Sequence, residues 1–174
     1  MAPKTTATLP MIFEPGKPMA LTLDTREPNP WPWGQFLPPG WSLIREGLET
    51  GDVCIAGLPD GVCVERKSPP DLAACLGRER ERFERELRRG RHCGRLLVIV
   101  EGNFDDVARA AQGMHRNAIV GTVAAWSVRY CPFIFAGDVA TAAAIAFRAL
   151  ASQVRDAERT VTRANKVRLP DSTL

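Results

Sequence analysis

Histidine is scarce in this chain of 174 residues: His92 and His115 are the only two, and neither has a partner at metal-ligand spacing. No Ser/His/Asp set for nucleophilic catalysis is recognisable. The five cysteines, Cys54, Cys63, Cys75, Cys93 and Cys131, are odd in number and contain no C-x-x-C pair. A structural zinc site and a dithiol redox motif are thereby excluded, and buried free thiols are expected. No apolar run reaches 18 residues, so no membrane span is expected. Residues 1–18 have no continuous apolar core and are broken by four prolines. They read as a flexible arm and not as a signal peptide. A cytoplasmic location follows as an expectation, nucleoid-associated in a bacterium or in the host cytoplasm for a phage-encoded chain.

Charge of one sign is also lacking overall, since the formal net charge is only +3. Its distribution is more informative. Between Arg78 and Arg95 the chain carries eight arginines against four glutamates. That excess suits a surface facing phosphates, with Arg78, Arg82 and Arg85 among the candidate contacts. It suits equally a solvated helix laced by pairs such as Glu81–Arg85 and Glu84–Arg88.

Apolar periodicity divides what remains. Strand-like runs cover Met19–Asp24, Trp41–Glu46, Asp52–Ala56 and Val62–Lys67, with Leu58-Pro59-Asp60-Gly61 as a hairpin turn between the last two. From Pro70 the period changes to about 3.6, and Leu72, Leu76, Phe83 and Leu87 mark helix. Gly77 would divide two helices, while Gly90 and Gly94 would end the second. Leu96–Val100 reads as a strand buried on both faces. Helices follow over Asp105–Ala111 and Asn117–Arg129, then a strand over Phe133–Phe135 and an alanine-rich helix from Asp138 to about Arg159. This order implies an α/β fold, a mixed central sheet flanked by helices. One domain over residues 19–159 is expected, with 160–174 as a tail.

The chemistry concentrates in Gly51-Asp52, Glu65-Arg66-Lys67 and Asp71. Asp52 opens one strand and Glu65 lies near the end of its hairpin partner. Two carboxylates brought together repel unless they are neutralised, and a divalent cation held by oxygen ligands is the usual solution. Alternation along the strand puts Glu65 and Lys67 on one face and Arg66 on the other. Phosphodiester hydrolysis needs such a set: a cation to polarise phosphate and acidify water, and an ammonium to orient the water or to stabilise the growing charge. Arg66 and Asp71 would support the site or contact substrate. The plainer alternative is an exposed cross-strand ion pair between Glu65 and Lys67. The loop from Arg26 to Trp41, with Trp31, Trp33 and Trp41, would either stack on an unpaired base or fold over a sheet edge or dimer contact.

The whole string, Asp24-Thr25-Arg26-Glu27, Gly51-Asp52, Glu65-Arg66-Lys67-Ser68-Pro69-Pro70-Asp71 and the arginine-rich helix after it, resembles the nuclease domain of XPF/MUS-type structure-specific endonucleases. Their GD…ERKxxxD pattern is complete here. The resemblance spans roughly Leu21 to Leu150 and implies a restriction-endonuclease-like core. It implies Asp52 and Glu65 as metal-binding acids, Asp24 as an additional acid near the metal, and Lys67 as the catalytic lysine, with Arg66 and Asp71 in supporting roles. Arg26 and Glu27 belong to the same segment, and Arg26 and Arg82 would contact DNA. Magnesium or manganese is the implied cofactor, branched DNA the implied substrate and a homodimer the implied assembly. Family members usually append a tandem helix-hairpin-helix module, which is not expected here, nor is a preceding helicase domain. Selectivity for branches would then come from the domain, from dimerisation or from a protein partner. Three functions follow: a metal-dependent endonuclease on branched or flap DNA, a dimeric resolvase of four-way junctions, and a non-catalytic DNA-binding scaffold.

Overall fold

A computed structural model describes residues 17–167 apart from 29, 59–60 and 93–94. Most of the N-terminal arm, Pro59 and Asp60 of the expected turn, Cys93, Gly94 and the last seven residues therefore lie outside the described residues. Six strands form one mixed sheet: β1 (Ala20–Asp24), β2 (Ser42–Glu46), β3 (Val53–Ile55), β4 (Val62–Lys67), β5 (Arg95–Val100) and β6 (Phe133–Phe135). Their spatial order is β2-β1-β3-β4-β5-β6. β3 is antiparallel to both β1 and β4, whereas β1–β2, β4–β5 and β5–β6 run parallel. β2 thus lies at an edge beside β1 and does not continue the hairpin series read from the sequence. The β3–β4 turn is closed by the Gly61 N–H donating to the Leu58 carbonyl at 3.0 Å.

Helices cover both faces. On one lie α1 (Pro69–Leu76), α2 (Arg80–His92), α3 (Phe104–Ala110) and α4 (Arg116–Arg129), which bury Leu72, Phe83, Val107, Ile119 and Trp126 against Leu96, Val98 and Val100. On the other lies α5 (Val139–Val167), whose Ala142, Ala143, Ala146 and Leu150 pack on Leu21, Val53, Ile55, Val64 and Ile99. The alternation of Leu96, Val98 and Val100 with Ile99 shows why β5 reads as a continuous apolar run: both of its faces are covered. No helix is long and apolar enough to cross a membrane among the described residues.

Gly77 caps α1, as its place between two helical periods suggested. Gly90 does not end α2, which runs on to His92. A Cβ at Gly90 would meet Leu96 Cδ2 at 2.5 Å, so its role is to let the helix lie close to β5. α5 also runs beyond the end expected near Arg159, reaching Val167. Its start is capped by the Thr141 N–H donating to Asp138 at 2.8 Å, and neither glycine nor proline interrupts it.

Candidate active site

Gly51 sets the position of Asp52. It takes φ +77°, and a Cβ there would meet Cys63 Cβ at 3.0 Å and the Val64 carbonyl oxygen at 3.1 Å. The Asp52 N–H donates to the Val64 carbonyl at 2.8 Å, and the Arg66 N–H returns a bond to Asp52 Oδ2 at 2.7 Å. Asp52 is thus clamped by its backbone and its side chain to the strand that carries Glu65 and Lys67. The Asp24 N–H reaches the Asp52 carbonyl at 2.9 Å, which brings the end of β1 to the same place.

On β4, Glu65 and Lys67 face α2 and Arg66 faces the opposite layer, as alternation requires. Glu65 is 4% exposed and its carboxylate is paired with Lys67 Nζ. The ammonium also lies 5.1 Å from the centre of the Phe83 ring. Such burial rules out the exposed ion pair that the sequence had left open. Burial pushes Glu65 up to about 7 against the opposing charge of Lys67. It likewise pushes Asp52 up to about 6, against the Arg66 N–H. Burial alone would lower Lys67, but the Glu65 charge and hydrogen bond hold it above its ordinary value.

Arg66 belongs to a different cluster. Its Nε donates to Glu101 Oε1 at 2.6 Å, Nη2 to Glu101 Oε2 at 3.1 Å and Nη1 to Glu27 Oε1 at 2.9 Å. The guanidinium sits 5.9 Å from the Trp31 ring centre, and the indole N–H of Trp31 also donates to Glu101. Trp31 and Trp33 are 5% and 3% exposed and meet edge to face. Neither is free to stack on a base. Trp41 instead packs against Phe147 of α5. In the sequence Glu27 stands in the Asp24-Thr25-Arg26-Glu27 segment with no role assigned, and Glu101 belongs to no motif. Its place directly after the apolar run of β5 was the available signal.

Asp24 is 2% exposed, and its carboxylate accepts the Arg26 N–H at 2.7 Å and Arg26 Nε at 3.0 and 3.1 Å. The Arg26 guanidinium holds Asp24 below its usual range. Asp71, the last letter of the motif, stands in the first turn of α1, where its N–H donates to Ser68 Oγ at 3.3 Å and its carboxylate accepts the Ser68 hydroxyl at 2.6 Å. Arg82 lies between Glu79 at 2.6 Å and Glu86 at 3.2 Å. Arg78 reaches Glu79 at 3.7 Å, and Arg85 is exposed. The Glu84–Arg88 pair forms at 3.8 Å, whereas Glu81 and Arg85 do not meet. Cys75 and Cys131 are buried free thiols and Cys54 and Cys63 are half-buried ones.

Among the described residues no three acidic, histidine or cysteine side chains converge on one point. The chemistry of the donor set still fits a hard divalent cation. Glu65 supplies buried oxygens and Asp52 half-buried ones, and a magnesium-type ion takes only one or two carboxylates beside water and phosphate.

A mixed sheet between helical layers, with an acid-x-lysine pair on a central strand, defines a restriction-endonuclease-like nuclease fold. The chain belongs to the ERCC4 domain family, which it matches over residues 23–148. Two solved structures share the fold. XPF from Aeropyrum pernix aligns with a TM-score of 0.62 and 22% identity, covering 84% of this chain and 69% of the other. XPF from Aeropyrum pernix in complex with DNA aligns with a TM-score of 0.59 and 24% identity, covering 88% and 68%. No curated protein matches the chain.

Proposed function

We propose that this protein is a magnesium- or manganese-dependent endonuclease that hydrolyses phosphodiester bonds in branched or flap-type DNA. The observation that carries this reading is the burial of Glu65 beside Lys67 with Asp52 clamped to the same strand. Family membership and the DNA complex of the Aeropyrum pernix protein support DNA as the substrate. Asp52 and Glu65 would hold the ion, and bound there it would polarise the scissile phosphate and acidify a water. Lys67, paired as an ammonium, stabilises the negative charge that grows on the phosphate. Arg66 keeps Asp52 in place through its peptide N–H and anchors that strand through Glu27 and Glu101. Asp24, held by Arg26, is a third acid that could join only if Arg26 turned toward substrate. A homodimer, and a partner that directs the enzyme to its substrate, belong to the same proposal. Val120 and Val128, 47% and 91% exposed on α4, offer apolar surface for such contacts.

The test is cleavage of labelled flap, fork, four-way junction and plain duplex DNA with Mg²⁺ or Mn²⁺, beside Glu65→Gln. Metal-dependent cutting that falls at least ~100-fold in the variant supports the assignment. A preference for four-way junctions would favour the resolvase. Folded protein that cuts nothing and binds no divalent ion would leave only the scaffold.

A further inference from the structure

At the opposite end of the β4–β5 pair lies a second concave feature. A cavity of about 310 Å³ opens beside the first residues of both strands, with Val62, Leu96, Leu97 and Cys131 as its apolar floor. Arg91, Arg95 and Tyr130 border it, and both arginines are exposed. Tyr130 is flanked by Arg88, whose Nε donates to its hydroxyl at 3.4 Å, and by Arg129, whose guanidinium lies 6.0 Å from its ring centre. Arg91 donates to the Arg129 carbonyl at 3.4 Å, which ties the ends of α2 and α4 together. Among the described residues Arg91, Arg95 and Arg129 form no ion pair, and Glu84, 3.8 Å from Arg88, is the acid that enters the cluster. Two arginines thus line an apolar, aromatic-edged hollow, and Arg88 and Arg129 flank the tyrosine at its rim.

We propose that this hollow is an exosite for an unpaired DNA strand, with a base against Tyr130 and the apolar floor and the neighbouring phosphates on Arg91, Arg95 and Arg129. The inference rests on the nuclease reading above. Arginines alone would serve any polyanion. The concave apolar floor decides the form, because only a base outside a duplex stack can reach it. Arg88, hydrogen bonded to the phenol, holds Tyr130 below the usual phenol range and orients its ring at the rim. Register places Val62 beside Arg95 and Lys67 beside Val100, so the exosite and the acid–lysine site lie five residues apart along both strands. At ~3.3 Å per residue that is roughly 16 Å, about the length of five stacked nucleotides at ~3.4 Å each, and an extended strand would cross it with fewer.

The experiment uses the Glu65→Gln protein without divalent ions, to prevent cutting, and fluorescence anisotropy with three probes: a twelve-residue oligothymidylate, an abasic strand of equal length and a blunt duplex. Arg91→Ala/Arg95→Ala should weaken oligothymidylate binding about tenfold and lower the slope of log K against log salt by about 1.4, two contacts at ~0.7 each. Blunt-duplex binding should change less than twofold. Tyr130→Leu should cost oligothymidylate at least about fivefold and spare the abasic strand, because a stacked base is what it loses. Equal losses on duplex and single strand would overturn the proposal in favour of a general basic face. Unchanged oligothymidylate affinity, with an altered sedimentation coefficient, would overturn it in favour of a second copy of the chain. The nuclease reading is judged separately on the protein with Glu65 intact: metal-dependent cutting that persists while the exosite variants bind normally sinks the exosite alone.

Discussion

The two faces of β4 carry similar charges in similar burial and come to opposite ends. On one face Glu101 accepts three hydrogen bonds, two from the Arg66 fork and one from Trp31, and Glu27 takes a third arm of Arg66. The lone pairs there are largely consumed, and the cluster pins β4 to β5 and to the tryptophan loop. On the other face Asp52 accepts one bond, from a peptide N–H, and Glu65 accepts one from Lys67. Glu65 is buried and Asp52 half-buried, both with lone pairs to spare, which is why desolvation raises their proton affinity. One strand therefore separates a closed ionic lock from an open one by no more than the alternation of its side chains.

Arg66→Ala is the severest way to break the contrast. It leaves the half-buried Glu27 and Glu101 without their cation, and a loss of about 3 kcal/mol in urea unfolding is expected. A loss below ~1 kcal/mol would mean that the lock contributes little. The open face should respond to pH instead. Asp52 and Glu65 have folded values above their unfolded ones, so each binds its proton more tightly when folded. Their stabilisation is present below the unfolded value near 4 and is lost as pH rises through about 6 and about 7. Metal-free protein should lose on the order of 2 kcal/mol between pH 5 and pH 8, and Mg²⁺ should restore much of it. A flat profile of melting temperature against pH would contradict the burial. Asp52→Asn removes part of the same penalty while keeping an acceptor for the Arg66 N–H. It should gain on the order of 1 kcal/mol at pH 8 in the absence of metal, and lose cleavage. Destabilisation would assign Asp52 a structural role. The smallest effect is expected at Arg82→Ala, which is exposed: under ~0.5 kcal/mol of stability, with the salt slope of duplex binding lowered by about 0.9 if it meets a phosphate. An unchanged slope would make that helix face a solvated one.

Most of this architecture could be read from periodicity, because Leu96–Val100, Val62–Lys67 and the helix beginning at Pro69 each bury a regular stripe. The acid–lysine site was legible for a related reason: strand alternation and a hairpin are local, so Asp52, Glu65 and Lys67 could be brought together without knowing the rest of the fold. What escaped was non-local. The Glu101 partnership with Arg66 spans 35 residues and that with Trp31 spans 70. No periodicity encodes such a distance. Asp24 was expected as a further acid near a metal; its peptide N–H meets the Asp52 carbonyl, but its carboxylate is taken up by Arg26 through a turn whose geometry the sequence does not display. The extent of α5 was missed because its polar last turns carry no apolar stripe to count, although nothing in them breaks a helix.

Gly51 deserves its place in the motif for a reason unlike that of its neighbours. Its conformation and the close approach of Cys63 and Val64 leave no room for even a methyl group. Every charge of the site could be retained and its geometry still lost by one added carbon. The GD…ERK string is therefore a mixed inscription, part reagent and part joinery. A survey that ranks positions by the charge they carry would overlook the position that holds the reagents in register.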